Sequence, residues 1–292
     1  MIPNHMHFYW GSDALPELCA FAPISFKLQN PFWDVTVHIP EGRKLNNMDA
    51  TWNTPEYVLP YNGECYMPFL KEVVGGNPGF NIKEERFPEF MKGCHAVHES
   101  DYLRLKLMAE EGGYWSDFDI LYKGSMPNIE DDLMVCHDTH THLIGLYGSV
   151  KGHKVFTEAL QKAEAAFTSK SYQSIGALLL NEIELPEKYF NMHPRGVYAH
   201  HAPGIGITHP ENIWLSDWTL DDSVYDNSFD TSHPSYKNIT RVNNFGVHWY
   251  GGSLTSRFIL NGWDEYKTTL AGKNAGVFHN FHEYAKMLGV AR

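Results

Sequence analysis

Hydrophobic positions in the first forty residues change period twice. The stretch NHMHFYW (4–10) is dense in aromatics and predicts a strand, and GSDALP (11–16) follows as a turn. Residues 15–28 carry helical spacing, broken only by Pro23. NPFWDVTVHIP (30–40) returns to strand character after an Asn-Pro turn. Strand, helix, strand within forty residues predicts an α/β fold whose central sheet is mostly parallel and flanked by helices.

The pattern weakens over 40–95, where NTPEYVLPYNG (53–63) and VVGGNPGF (73–80) read as loops around one short helix at 68–74. That stretch is expected to be a lid or an insertion. Next, SDYLRLKLMAEEGG (100–113) sets Leu103, Leu107 and Met108 on one helical face, with Ser100 as N-cap and Gly112-Gly113 as the stop. YWSDFDILYKG (114–124), DLMVCHD (132–138) and LIGLYGSV (143–150) predict strands, and 153–167 and 173–183 predict helices. RGVYAHHAPG (195–204) is a strand running into a loop, 212–236 is mostly loop, and FHNFHEYAKMLGV (278–290) is a closing helix. No internal repeat divides the chain, so 1–292 is taken as one domain.

Composition narrows the function. The net charge is −12, from 23 basic and 35 acidic residues, and no basic run of four or more exists. A long nucleic-acid footprint needs a basic face, so the charge balance disfavours polymeric nucleic acid as a partner. No apolar run reaches the ~18 residues of a membrane span, and the opening MIPNHMHFYWGSD lacks the build of a secretory signal. The four cysteines form no CxxC pair, which argues against a disulfide framework or a cysteine-rich zinc site. A soluble, cytoplasmic protein is expected.

Asp117 and Asp119 carry the first candidate chemistry. Hard divalent cations take oxygen ligands and are often shared between one or two carboxylates and substrate phosphates. On a strand both side chains would face one way, at the sheet end where ligands of open α/β folds bind. Alone, Asp-x-Asp is a weak motif that equally describes a solvated strand end.

Its surroundings are more specific. SDYLRLKLMAEEGGYWSDFDI (100–120) resembles the signature of the DXD-containing sugar transferases related to yeast α-1,6-mannosyltransferases and bacterial capsular polysaccharide glycosyltransferases, through Ser100, Asp101, Arg104, Gly112, Gly113, Asp117 and Asp119. Tyr114 stands one place earlier than the family's aromatic, with Trp115 in the usual position. The opening IPNHMHFYWG (2–11) is similar to the family's start at Ile2, Pro3, His7, Trp10 and Gly11. NPFWDVTV looks like its second strand. FGVHWYGGSL (245–254) resembles its C-terminal segment at His248, Trp249, Gly252 and Ser253, with Leu254 where Trp is usual. SIGALLLNEI (174–183) looks like the family's Gly-Pro helix, with Ala177 in the proline's place.

The resemblance implies a GT-A-like nucleotide-sugar-binding fold, with 1–125 as the nucleotide-sugar and metal half and 126–292 as the acceptor half. It implies a nucleoside diphosphate sugar as donor, Mn²⁺ or Mg²⁺ as cofactor, and a glycan, lipid-linked glycan or other hydroxyl acceptor, a modified nucleobase not being excluded. The implied activity is a hexosyl- or pentosyltransferase that retains anomeric configuration. Trp10 would stack on the donor base, beside His7 and Gly11. Ser100, Asp101 and Arg104 would face the donor, Arg104 sharing the diphosphate charge. Asp119 would bind the cation directly, Asp117 would meet the ribose or the metal, and His248 would be the third ligand. Trp249 and Ser253 would complete the donor site. Asp119, Asp117 and Arg104 are the expected catalytic groups.

Two rival readings stand beside it. A non-catalytic nucleotide- or carbohydrate-binding protein would keep Trp10 and Arg104 yet tolerate loss of Asp119. A metal-dependent hydrolase would instead need convergence of the His-rich segments CHDTHTHL (136–143) and AHHAPGIGITHP (199–210).

Overall fold

The computed structural model describes residues 1–11, 14–42, 61, 63–122, 124–135, 145–165, 167, 174–192, 199–201 and 246–248; of 191–192, 199–201 and 246–248 the backbone alone is described. Four strands, β1 (His5–Tyr9), β2 (Asp34–Pro40), β3 (Phe80–Glu85) and β4 (Gly113–Ser116), lie parallel in the order β3-β2-β1-β4. The sheet continues through β7 (Leu146–Ser149), β6 (Leu133–Val135), β8 (Phe190–Met192) and β9 (Ala199–His201). Of these further pairings only β6 with β8 is parallel. A short β5 (Ile120–Tyr122) leaves this sheet and pairs antiparallel with β10 (Gly246–His248). The expected α/β architecture with a mostly parallel sheet flanked by helices is what the chain adopts.

Strand alternation sorts the core into two layers. Met6, Phe8, Val35 and Val37 are fully buried against Leu18, Phe21 and Phe26 of α1 (Glu17–Gln29) and Leu70 of α2 (Met67–Gly75). Each such side chain contributes about 1.5–3 kcal/mol by leaving water. On the other face Tyr9 and Trp115 pack with Leu105 and Met108 of α3 (Ala96–Glu110) and Phe156 of α4 (Lys154–Ala165). A one-turn α5 (Ala177–Leu180) stands where the sequence predicts a helix over 173–183. Among the described residues no helix is long and apolar enough to cross a membrane.

Three elements differ from expectation. First, α3 begins at Ala96, where the His95 ring accepts the Val97 amide at 3.3 Å, so Ser100 lies inside the helix. Second, β3 occupies part of the stretch expected to be loop; as an edge strand it buries only Phe80 and Glu85, which leaves no clean alternation. Third, Asp117 and Asp119 are not on a strand: β4 ends at Ser116, β5 begins at Ile120, and the pair lies in the turn between them. The chain has to leave the main sheet there to reach β10.

Gly112 and Gly113 fix the start of β4. Both have positive φ, 75° and 99°. A Cβ would meet Lys151 N at 2.5 Å from Gly112 and the His5 carbonyl oxygen at 2.7 Å from Gly113. Only glycine lets the backbone turn out of α3 and close against β1 and β7 at once.

Candidate active site

The Asp117–Asp119 turn is fastened from both sides. The Phe118 ring is buried, 5.6 Å from Phe8 and 5.3 Å from Trp10, edge-on to both. The Asp117 amide donates to the Gly145 carbonyl at 2.8 Å. Trp115 Nε1 donates to Asp117 Oδ1 at 2.8 Å. Asp117 and Asp119 themselves remain partly exposed.

Arg104 gathers the acidic groups behind the turn. Its guanidinium is 3.2 Å from Asp101 Oδ1 and 3.4 Å from Asp117 Oδ1, and it donates to Ser100 Oγ at 2.9 Å. It also stacks 5.0 Å above the Trp115 ring. Its side chain is only 5 % exposed, so the fork is directed at the protein's own carboxylates. Burial pushes the Asp101 carboxyl up to about 6; Arg104 opposes this and Asp117 adds to it. Burial likewise drives the Tyr147 hydroxyl, which meets the Arg104 guanidinium, well above its ordinary value. One guanidinium thus serves two carboxylates, with Asp119 two residues beyond Asp117.

The backbone brings a further predicted group here. In the β5–β10 pair His248 is in register with Ile120, the residue after Asp119. Trp10 directly follows β1, its amide donating to the His38 carbonyl at 3.0 Å, and its ring is half-buried beside Phe118. Gly11 is buried, and a Cβ there would collide with the Tyr9 ring. Tyr9 in turn donates from its hydroxyl to Glu99 Oε2 at 2.6 Å. Trp10, Gly11, Ser100, Asp101, Arg104, Asp117 and Asp119 are therefore tied through β1, α3 and one turn.

His7 does not join them. It is fully buried, and its two ring nitrogens lie 3.0 Å from His38 Nε2 and 3.2 Å from the Gly112 carbonyl oxygen. Burial and the neighbouring imidazoles of His5 and His38 hold its pKa well below the usual histidine value. Trp249 and Ser253 lie outside the described residues, as do Cys136, His137, His140, His142 and His209 of the His-rich segments. Phe118 and Tyr147 are the groups that motif spacing missed. Phe118 lies next to Asp117 in sequence; nothing local marks Tyr147, which arrives on β7.

An acid-rich turn backed by one buried cation can take a divalent cation. The surplus carboxylate charge and the oxygen donors suit Mg²⁺ or Mn²⁺. No family model matches the chain, and no curated protein matches it. Solved structures that resemble it include glycosyltransferases. The PaToxG glycosyltransferase has a TM-score of 0.45 and 14% identity over 62% of this chain and 68% of its own. An active-site mutant of LgtC gives 0.43 and 13% over 88% and 95%. The galactosyltransferase LgtC in complex with donor and acceptor sugar analogs gives 0.40 and 12% over 88% and 95%. Likeness this distant transfers neither residues nor substrates, and the functional reading rests on the site itself.

Proposed function

We propose that this chain is a metal-dependent glycosyltransferase that moves a hexose or pentose from a nucleoside diphosphate sugar to a hydroxyl acceptor, with retention. The observation that carries the reading is the convergence at one turn of groups from distant sequence. Asp117 and Asp119 lie between β4 and β5, Asp101 and Arg104 stand behind them, and β10 sets His248 in register with Ile120, the residue after Asp119. The whole chain, 1–292, acts as a single GT-A-like domain.

Asp119 holds the cation directly, Asp117 shares it or meets the ribose, and His248 supplies the third ligand. When bound, Mn²⁺ or Mg²⁺ offsets the charge of the departing diphosphate. Trp10 offers its half-buried ring to the donor base, with Gly11 keeping the backbone close. Trp249 and Ser253 close the donor site from the C-terminal segment. Arg104 takes a different part from the one its residue type suggests. Buried and committed to Asp101, Asp117 and Ser100, it is a positioning residue that fixes the Asp117 carboxylate. A same-face displacement needs no protein nucleophile, consistent with the absence of an obvious one in the sequence.

The test is a panel of nucleoside diphosphate sugars, scored for thermal stabilisation and for slow donor hydrolysis with and without Mn²⁺. One donor is expected to stabilise the chain and to be cleaved only with the cation. Asp119→Asn is expected to lower cleavage by about a hundredfold or more, the scale for losing charge stabilisation of a leaving group. Binding without cleavage by the intact chain would point to a binding protein. No response to any donor would sink the reading.

A further inference from the structure

A second polar cluster lies toward the other end of β1. The His5 and His7 rings are 3.9 Å apart between centroids, and one ligand atom from each lies within 4.8 Å of the other and of a Glu111 carboxylate oxygen. A chain of contacts runs behind His7. Its Nδ1 is 3.0 Å from His38 Nε2, and His38 Nδ1 is 2.8 Å from Glu85 Oε1. The other nitrogen, His7 Nε2, is 3.2 Å from the Gly112 carbonyl oxygen.

Counting hydrogens along this chain exposes a shortage. Glu85 Oε1 also meets Lys83 Nζ at 3.0 Å, so it is an ionised acceptor and His38 Nδ1 carries the hydrogen. In neutral His38 the Nε2 then accepts, and His7 Nδ1 donates to it. Neutral His7 is left with the lone pair of Nε2 turned toward a carbonyl oxygen. Two neutral imidazoles bring two hydrogens to three contacts, and a buried acceptor facing an acceptor is costly. One positive charge closes the chain, as a third proton or as a cation.

We propose that His5, His7 and Glu111 form a binding site for a divalent transition cation of the zinc class, with His38 and Glu85 orienting His7. Two imidazoles and one carboxylate are a set that zinc takes while keeping a further position open. A ligand histidine whose second nitrogen is anchored, directly or through a relay, to a carboxylate is the usual support for such a site. Glu111 caps α3 and His5 opens β1, so the cation would pin the end of α3 to the start of β1. Glu111 lies before β4 and the Asp117–Asp119 turn follows it, so the two sites use opposite ends of that strand. Lys83 Nζ is 3.4 Å from Glu111 and competes for it.

Cobalt(II) is the probe, because its visible absorption reports imidazole coordination. Tag-free wild-type chain and Asp119→Asn are titrated alike, which separates this site from the donor-side cation. One saturable equivalent that persists in Asp119→Asn is expected, displaced by Zn²⁺, with its absorption lost when His5→Gln or Glu111→Gln is added to that background. Metal-free melting curves of these two variants, matched to wild type, establish that they fold. Lys83→Met should tighten binding severalfold by removing the competing charge, and Glu85→Gln should weaken it about 10–100-fold through His38. Absence of cobalt absorption in the wild-type chain assigns the missing charge to a proton and overturns the site. So does absorption that survives both His5→Gln and Glu111→Gln on that background, or that vanishes in Asp119→Asn alone.

Discussion

Two buried carboxylates in this molecule are held in opposite states. Asp101 meets Arg104 at 3.2 Å, yet neither of its oxygens takes a well-aligned hydrogen bond, and burial raises its pKa to about 6. Burial also pushes Glu85 up, but hydrogen bonds from His38 and Lys83 outweigh it and bring the pKa down to about 2. Supply of donors, not depth, makes the difference. The Arg104 cluster has one cation for two carboxylates and lies beside a partly exposed turn, so its surplus charge suits an arriving cation. The histidine chain gives its carboxylate all the donors it needs and passes the shortage along to His7.

Removing Arg104 should produce the largest effect on this contrast. Arg104→Met keeps much of the volume and strands Asp101 and Asp117 without their cation. Breaking a buried pair in this way costs about 3–5 kcal/mol, and urea unfolding at neutral pH should read a loss on that scale. A loss below about 1 kcal/mol would mean that the guanidinium is held by the Trp115 stack more than by charge.

Glu85→Gln comes next, and its sign follows from the lowered pKa. A carboxyl at about 2 in the folded chain against 4.5 unfolded contributes stability above 4.5 that disappears as pH falls toward 2. The wild type should exceed the variant by at most about 3 kcal/mol at neutral pH, and the gap should close on acidification. Asp101→Asn has the reverse signature. A carboxyl raised from 3.8 to about 6 is least costly below 3.8, and the wild type loses stability as pH rises through 6. The variant should therefore gain on the wild type across that window by about 1–3 kcal/mol and hold level above it. Parallel pH profiles for the two variants would break the comparison.

The sequence made half of this visible. The alternation of Met6 and Phe8 with His7 and Tyr9 announces β1, and the Gly112-Gly113 stop is where the backbone needs it. Asp101 and Arg104 pair as their three-residue spacing on a helix suggests. Asp117 and Asp119 were legible as a pair but not as a turn, because the exit to β10 depends on a strand more than a hundred residues away. The histidine chain was illegible for the same reason. His7, His38 and Glu85 lie on three strands whose register no local pattern encodes. β3 was hidden by its edge position, where exposed Asn81 and Glu84 mask the strand period.

The smallest effect belongs to Ser100, and it separates two roles that predict opposite signs. As an N-cap, Ser100 would tolerate Gly better than Ala, because a cap has non-helical backbone and Gly there costs only a few tenths of a kcal/mol. Four residues into α3, Gly instead costs about 1 kcal/mol more than Ala through backbone entropy. Both variants also lose the hydroxyl that accepts from Arg104 Nη2 at 2.9 Å, a charged hydrogen bond whose loss costs about 1.5–3 kcal/mol when its partner stays buried. Ser100→Ala regains part of that through helix propensity, so it should unfold at higher urea than Ser100→Gly. The reverse order would move the helix start back to Ser100 and release its hydroxyl from Arg104, leaving the guanidinium one acceptor poorer than the geometry gives it.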